Sequence, residues 1–208
     1  MRDRQAQAAL IAEMIGYGAL RTPRIIEAFR AVDRSTFVPE IYGDDSYGDY
    51  PLPIGEGQTI SQPTTVAFML ELLNAQPGQR VLDIGSGSGW TTALLGHIVG
   101  PEGEVIGLEC RKSLVEQGRR NIASFGSGQI RIEAAGEELG VPGEQFDRIL
   151  VSAAAPELPE QLLAQLRSGG ILVIPIGESL CRFTKNREGA VHEEVYPGFL
   201  FVTLMYKN

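Results

Sequence analysis

The run from residue 80 to 176 constrains this chain most, because short apolar segments there alternate with segments of helical period. Residues 80–84, ending Val81-Leu82-Asp83-Ile84, read as a strand, and Gly85-Ser86-Gly87-Ser88-Gly89 forms a turn that opens a helix over about 89–98. A strand over 104–109, a helix over about 112–124, strands over 129–133 and 147–151, a helix near 158–166 and a strand over 170–176 continue the pattern. Apolar strands separated by helices predict an α/β architecture, a parallel sheet with helices on both faces. The tail, 181–208, reads instead as two or three strands with turns at Gly189 and Pro197-Gly198, antiparallel at one edge.

Ahead of this run, residues 1–32 read as two helices. Leu10, Ile11, Met14 and Ile15 recur at helical spacing, as do Ile25, Ile26, Phe29 and Val32. Thr22-Pro23 suits an N-cap followed by proline at the first helical position. Residues 33–61 carry no sustained period, and an irregular segment of that length in a compact domain is usually functional or disordered. Phe37, Tyr42, Tyr47 and Tyr50 argue for an ordered, packed loop. A helix over 63–74 follows, with Val66, Met69, Leu70 and Leu73 on one face. No repeat or linker divides the chain, so one domain is expected: 1–79 as N-terminal helices and loop, 80–177 as the core, 178–208 as C-terminal strands.

Charge narrows the partners. The formal net charge is -8, and Arg111-Lys112 and Arg119-Arg120 read as one solvated helix face. Binding of nucleic acid driven by phosphate neutralisation is not expected. The N-terminus lacks the apolar core of a signal peptide, and no stretch approaches the roughly 18 apolar residues that span a bilayer, so no membrane role and a cytoplasmic location are expected. Cys110 and Cys181 lack metal-ligand spacing; reduced thiols and no metal site are expected. His97 and His192 read as surface or structural residues.

In open parallel sheets, ligands bind beyond the carboxyl ends of the strands where the order reverses. The glycine turn after the first strand is the natural place, since glycine accepts positive φ and lets a ligand approach the backbone. The next strand ends in Glu109, 20 residues past Gly89, suited to accept hydrogen bonds from ribose hydroxyls and unsuited to a 2′-phosphate. A dinucleotide fingerprint starting at Gly85 needs a small residue at its sixth position, and Trp90 stands there. The spacing is D-x-G-x-G-x-G, which resembles motif I of the class I S-adenosylmethionine-dependent methyltransferases. A tight glycine turn without a ligand is the bland alternative. The resemblance implies S-adenosyl-L-methionine as cofactor and a doubly wound, Rossmann-like class I methyltransferase sheet, mostly parallel, with antiparallel C-terminal strands and an N-terminal helical and loop extension. It also implies that Asp83, Gly85, Gly87, Gly89 and Glu109 bind the cofactor.

Further segments narrow the resemblance. These are residues 33–40 (Asp33-Arg34-Ser35-Thr36-Phe37-Val38-Pro39-Glu40), Pro51-Leu52-Pro53-Ile54-Gly55, Gly57-Gln58-Thr59-Ile60-Ser61-Gln62-Pro63, and residues 146–154 and 168–177. With these in view the chain resembles the protein-L-isoaspartate (D-aspartate) O-methyltransferases over about residues 20–177. That family implies methyl transfer to the α-carboxylate of isoaspartyl residues in peptides and proteins, after which the ester closes to a succinimide. By position, Ser61 matches the family's catalytic serine, and Thr59 with Ser61 matches its substrate loop. The chain departs from the family at Ala135, where an acid contacting adenine is usual, with Glu137 or Glu138 as displaced substitutes, and at Thr203, where proline is usual.

The implied chemistry asks little of acid–base groups. A carboxylate is already ionised at neutral pH, so positioning and exclusion of water carry the reaction. Ser61 is then an orienting donor to the acceptor and not a nucleophile, although Ser-Gln-Pro also reads as an N-cap opening the next helix. Two alternatives stay open at this point: another acceptor, such as an aspartate in a modified peptide or a small carboxylic acid, or a catalytically silent cofactor-binding protein. A monomer is expected.

Overall fold

The computed structural model describes residues 2–125 and 129–205. Helices α1 (Arg2–Gly16) and α2 (Pro23–Ala31) bury Leu10, Ile11 and Met14, then Ile25, Phe29 and Val32, while Ile15 is left exposed. Two 3₁₀ turns, Arg34–Phe37 and Glu40–Asp45, lead to a hairpin of strands β1 (Leu52–Gly55) and β2 (Gln58–Ile60). The segment read as irregular therefore contains four short elements. Helix α3 (Pro63–Leu73) follows. Thr22 sits at the N-cap of α2 but makes no capping bond there. Its hydroxyl donates instead to Glu71 of α3 at 2.7 Å, and the Glu71 carboxylate also accepts the Arg21 and Thr22 backbone N–H groups at 2.7 Å.

The alternating region gives β3 (Arg80–Ile84), α4 (Trp90–Val99), β4 (Glu104–Glu109), α5 (Lys112–Ile122), β5 (Ile130–Ala134), β6 (Phe146–Val151), α6 (Glu160–Ala164) and β7 (Leu166–Ile176). Strands β8 (Ser179–Lys185) and β9 (Val191–Pro197) complete one seven-stranded sheet of order β5-β4-β3-β6-β7-β8-β9. Pairings from β5 to β7 are parallel, and β8 and β9 return antiparallel. The chain winds outward from β3 on one side and from β6 on the other, so the order reverses between these two strands.

Each strand sends alternate residues to the two faces. Val81, Val105, Leu150 and Val173 join a core with α1 to α5, whereas Leu82, Ile106, Ile149 and Leu172 join a second core on the other side. That second face is covered by Leu162 of α6 and by Leu139 and Leu204 from chain without regular structure, so the helices lie mostly on one face. The helix near 158–166 shortens to five residues and the strand after it starts at Leu166 rather than 170. Leu166 pairs with Phe146 across a register shift, and Arg167 reaches Asp147 at 2.9 Å, so extended chain takes over early. The described part of the tail makes two strands, with Gly189 and Gly198 at positive φ in the turns, and beyond them Thr203 forms an isolated bridge to Ala154; residues 206–208 of the tail lie outside the described residues. No helix among the described residues is long and apolar enough to cross a membrane.

Candidate cofactor and acceptor site

A cavity opens at the carboxyl ends of β3, β4, β5 and β6, where the strand order reverses. Residues 85–88 line it after β3, Glu109 at the end of β4, Ala135 after β5 and Ser152 after β6. The fourth side comes from the β1–β2 hairpin and residues 58–61, and part of the rim from residues 202–205.

The glycine turn is shaped by backbone geometry. Gly85, Gly87 and Gly89 all hold positive φ, at 79°, 52° and 95°. The Gly85 and Ser86 N–H groups both donate to the Leu108 carbonyl, at 2.9 and 3.1 Å, which ties the turn to the next strand. At Gly89 a Cβ would stand 2.9 Å from Ile122 and 3.0 Å from Ile132, so only glycine lets α4 start this close to α5 and β5. Glu109 is buried beside the turn: Oε2 accepts the Gly87 N–H at 3.0 Å and Oε1 accepts the Arg111 N–H at 2.8 Å. Each oxygen keeps a further lone pair for a ligand hydroxyl. Ser86 and Trp90, which also line the cavity, each keep a buried polar atom without a partner (Oγ and Nε1). A positive-φ glycine turn, a carboxylate with spare acceptor capacity and unpartnered polar atoms fit a nucleoside bearing vicinal hydroxyls.

Asp83 stands differently from its glycine neighbours. It is wholly buried and lies behind the cavity wall rather than in it. Its Oδ2 accepts the hydroxyls of Thr91 and Thr92 at 2.8 and 2.7 Å, joining the end of β3 to the first turn of α4. Oδ1 has no partner. Burial pushes the carboxyl pKa up to about 6, the two threonine hydroxyls oppose this, and the nearby Glu109 charge adds to it.

On the hairpin side of the cavity, Gly55, Glu56 and Gly57 are all left-handed and fold the hairpin tip back, where Ser113 donates to Glu56 at 2.7 Å. Ile54 of this hairpin lies 3.1 Å from where a Cβ on Gly87 would be, so the hairpin lies over the cradle. Ser61 and Thr59 both line the cavity, Thr59 exposed and Ser61 half-buried. Ser61 does not cap α3: Gln62 is the N-cap residue and makes no side-chain cap bond. The cap comes from Asp49, which accepts the Thr64 N–H at 2.9 Å, the Thr64 hydroxyl at 2.8 Å and the Gln62 amide at 3.1 Å. The Ser61 hydroxyl is thus left uncommitted at the cavity.

Behind Ser61 lies a residue the sequence did not single out. Arg34 is 2% exposed, and its guanidinium donates to the carbonyls of Ser46, Gly48, Tyr50 and Ser61. It also lies 5.3 Å from the centre of the Trp90 ring, which meets Phe29 edge-on. Arg34 and Asp49 order the long loop together with Asp33, which accepts the Tyr47 hydroxyl at 2.7 Å. Phe37 of this loop packs on Phe125 just beyond α5, so the loop is ordered and packed, as its aromatic content predicts. No local signal marks Arg34 or Asp49, because their partners lie 12 to 27 and 13 to 15 residues away.

Both departures from the family pattern face the cavity. Ala135 lines it, and of the two displaced acids Glu138 lines it while Glu137 does not. Thr203 lies on the rim, held there because Ala154 and the tail exchange backbone bonds, Ala154 N–H to Val202 at 2.7 Å and Leu204 N–H to Ala154 at 2.8 Å. Arg111, read from sequence as part of a solvated face, also lines the cavity. His97 and His192 are exposed and away from it. Among the described residues, no group of three His, Cys, Asp or Glu side chains is arranged to hold a metal ion.

The family model described as protein-L-isoaspartate(D-aspartate) O-methyltransferase matches residues 4–208. A protein-L-isoaspartate O-methyltransferase of Methanopyrus kandleri is 40% identical over 208 residues, covering 97% of this chain and 92% of its own length. One from Aeropyrum pernix is also 40% identical, covering 97% of this chain and 80% of its own. A Plasmodium falciparum protein-L-isoaspartate O-methyltransferase crystallised with S-adenosyl-L-homocysteine superposes with a TM-score of 0.82 at 30% identity, covering 95% of this chain and 97% of that one. The glycine cradle, the Glu109 carboxylate and the loop bearing Ser61 are therefore those of a chain that belongs to the protein-L-isoaspartate (D-aspartate) O-methyltransferase family.

Proposed function

We infer that this chain is an S-adenosylmethionine-dependent enzyme that methylates the α-carboxylate of L-isoaspartyl residues in damaged peptides and proteins, starting their repair through a succinimide. Family membership supports this reading. The observation that carries it is the uncommitted Ser61 hydroxyl, set on the same cavity as the cradle and Glu109.

In this reading Gly85, Gly87 and Glu109 hold the cofactor, with Glu109 accepting the ribose hydroxyls. Gly89, which does not line the cavity, serves the cradle by letting α4 start close to α5 and β5. Asp83 supports the cradle from beneath through Thr91 and Thr92. Bound S-adenosylmethionine supplies an electrophilic methyl carbon on a sulfonium. Ser61 donates to one oxygen of the acceptor carboxylate and so fixes the other for in-line approach, and Thr59 borders the same carboxylate. No general base is required, because the acceptor is ionised at neutral pH. The hairpin over the cradle and the tail at residues 202–205 exclude water, so positioning supplies the catalysis. A cytoplasmic monomer that does not bind nucleic acid completes the reading, supported by the net charge of -8 and by Cys110 and Cys181, which are free thiols.

The test is methyl transfer from labelled S-adenosylmethionine to a matched pair of peptides, one isoaspartyl and one aspartyl, with wild type and Ser61→Ala. Transfer confined to the isoaspartyl peptide and lowered at least tenfold by the substitution is expected. Equal transfer to both peptides would sink the substrate assignment.

A further inference from the structure

We propose that Arg34 is a positioning residue for the acceptor site: its buried guanidinium fixes the backbone at Ser61 and so aims the Ser61 hydroxyl into the cavity. This rests on the role given to Ser61 above.

Among the described residues the Ser61 side chain has no hydrogen-bond partner of its own, so its direction follows from its rotamer and from where the main chain places it. That main chain joins the end of β2 to the N-cap of α3 and belongs to neither element. Its carbonyl is held by Arg34 Nη2 at 3.2 Å, and the same nitrogen holds the Tyr50 carbonyl at 3.0 Å. Nη1 holds Ser46 and Gly48, at 2.7 and 3.3 Å. One side chain thus ties Ser61 to a loop 11 to 15 residues upstream. The planar fork of an arginine can reach these carbonyls at once, whereas the single ammonium of a lysine cannot match that geometry.

The energetics favour a positional role over a purely stabilising one. Arg34 is 2% exposed, no carboxylate lies within ion-pair distance of it among the described residues, and its Nε has no partner. Burying a charge among carbonyl dipoles and the Trp90 ring, with the Asp49 carboxylate acting on it only from beyond ion-pair distance, is costly, and an apolar side chain would fill the same space with less penalty. Burial lowers its pKa to about 10, which leaves it charged at neutral pH. The guanidinium also lies 5.3 Å from Trp90, itself part of the cavity wall. It therefore holds two parts of that wall, the serine and the indole, in one relation.

The experiment is a double-mutant cycle. Arg34→Lys and Arg34→Met are each made in the wild-type and Ser61→Ala backgrounds, and kcat/KM on an isoaspartyl peptide, cofactor Kd by calorimetry and the thermal midpoint are measured. Arg34→Lys is expected to lower kcat/KM at least tenfold while cofactor Kd stays within threefold, since the guanidinium makes no hydrogen bond to the cradle or Glu109. In the Ser61→Ala background the same change should cost less than threefold, because the group being positioned is gone. An equal loss in both backgrounds, or no loss in either, overturns the proposal. Should Arg34→Met fail to fold, Arg34→Lys decides alone. Full activity in Ser61→Ala itself would instead defeat the acceptor role of Ser61, and the positioning role with it.

Discussion

The Glu109 carboxylate accepts the backbone N–H of Gly87 at 3.0 Å, tying the end of β4 to the middle of the glycine turn that follows β3. The acid expected to bind ribose thus also braces the turn expected to cradle the cofactor. Glu109→Gln keeps the size and one acceptor oxygen but loses the charge that strengthens every bond this group makes. Cofactor Kd measured by calorimetry should rise about tenfold or more, corresponding to roughly 1.5–3 kcal/mol for hydrogen bonds to a charged group. An unchanged Kd would remove Glu109 from the cofactor site.

The cradle glycines should not be equally sensitive. At Gly89 an added Cβ meets Ile122 at 2.9 Å, Ile132 at 3.0 Å and the Gly118 carbonyl at 3.3 Å, and φ is 95°. At Gly85 φ is 79°, but the nearest atom lies at 3.7 Å. Gly85→Ala should cost about 1 kcal/mol of backbone strain, and Gly89→Ala should add about 1–3 kcal/mol of overpacking. Urea unfolding of the two variants gives the order directly.

Asp83 makes stability depend on pH in an unusual direction for a carboxylate. Its pKa rises from 3.8 to about 6 on folding, chiefly through burial. Between these values the folded state holds the extra proton, so the stability this group contributes is complete below about pH 4 and is lost as pH climbs through 6. Asp83→Asn cannot titrate. The unfolding free energy of wild type minus that of the variant should therefore fall by roughly 2–2.5 kcal/mol between pH 4 and pH 7. A flat difference would mean that the carboxyl does not feel its burial.

Asp49 caps α3 from 14 residues before the helix begins, a placement invisible to local rules. Asp49→Ala should lower stability by about 1–2 kcal/mol, the usual loss for a helix cap. It should also raise KM for the isoaspartyl peptide, since Asp49 holds Gln62 beside Ser61, while cofactor Kd stays unchanged. A thermal melt and a peptide titration separate the two effects.

The parallel core was legible because its signals are local: Val81 to Ile84 alternates between two cores, and the glycine spacing fixes the turn after it. The loop over 33–61 was not, for the opposite reason. Its strands span four and three residues, too few to establish a period, and what orders them are long-range bonds from Arg34 and Asp49. Gly55-Glu56-Gly57 was the one local hint of a hairpin, since two glycines flank its tip. Ser61 shows the limit of a good local rule. Serine is a favoured cap, yet here a distant aspartate takes that work and the serine is left facing the cavity. Arg111 is exposed, as the solvated reading has it, but it sits at the N-cap of α5, where the chain turns toward the strand ends and the residue also lines the cavity.

Trp90 is the chain's only tryptophan, and it stands in the cavity wall with Phe29 at its edge and the Arg34 cation over its ring. The protein thereby carries one intrinsic fluorophore at the junction of the two regions proposed to bind cofactor and acceptor. Any change of emission on ligand entry belongs to that junction, with no second indole to subtract. Cofactor and acceptor occupancy can then be followed in real time on the unlabelled chain.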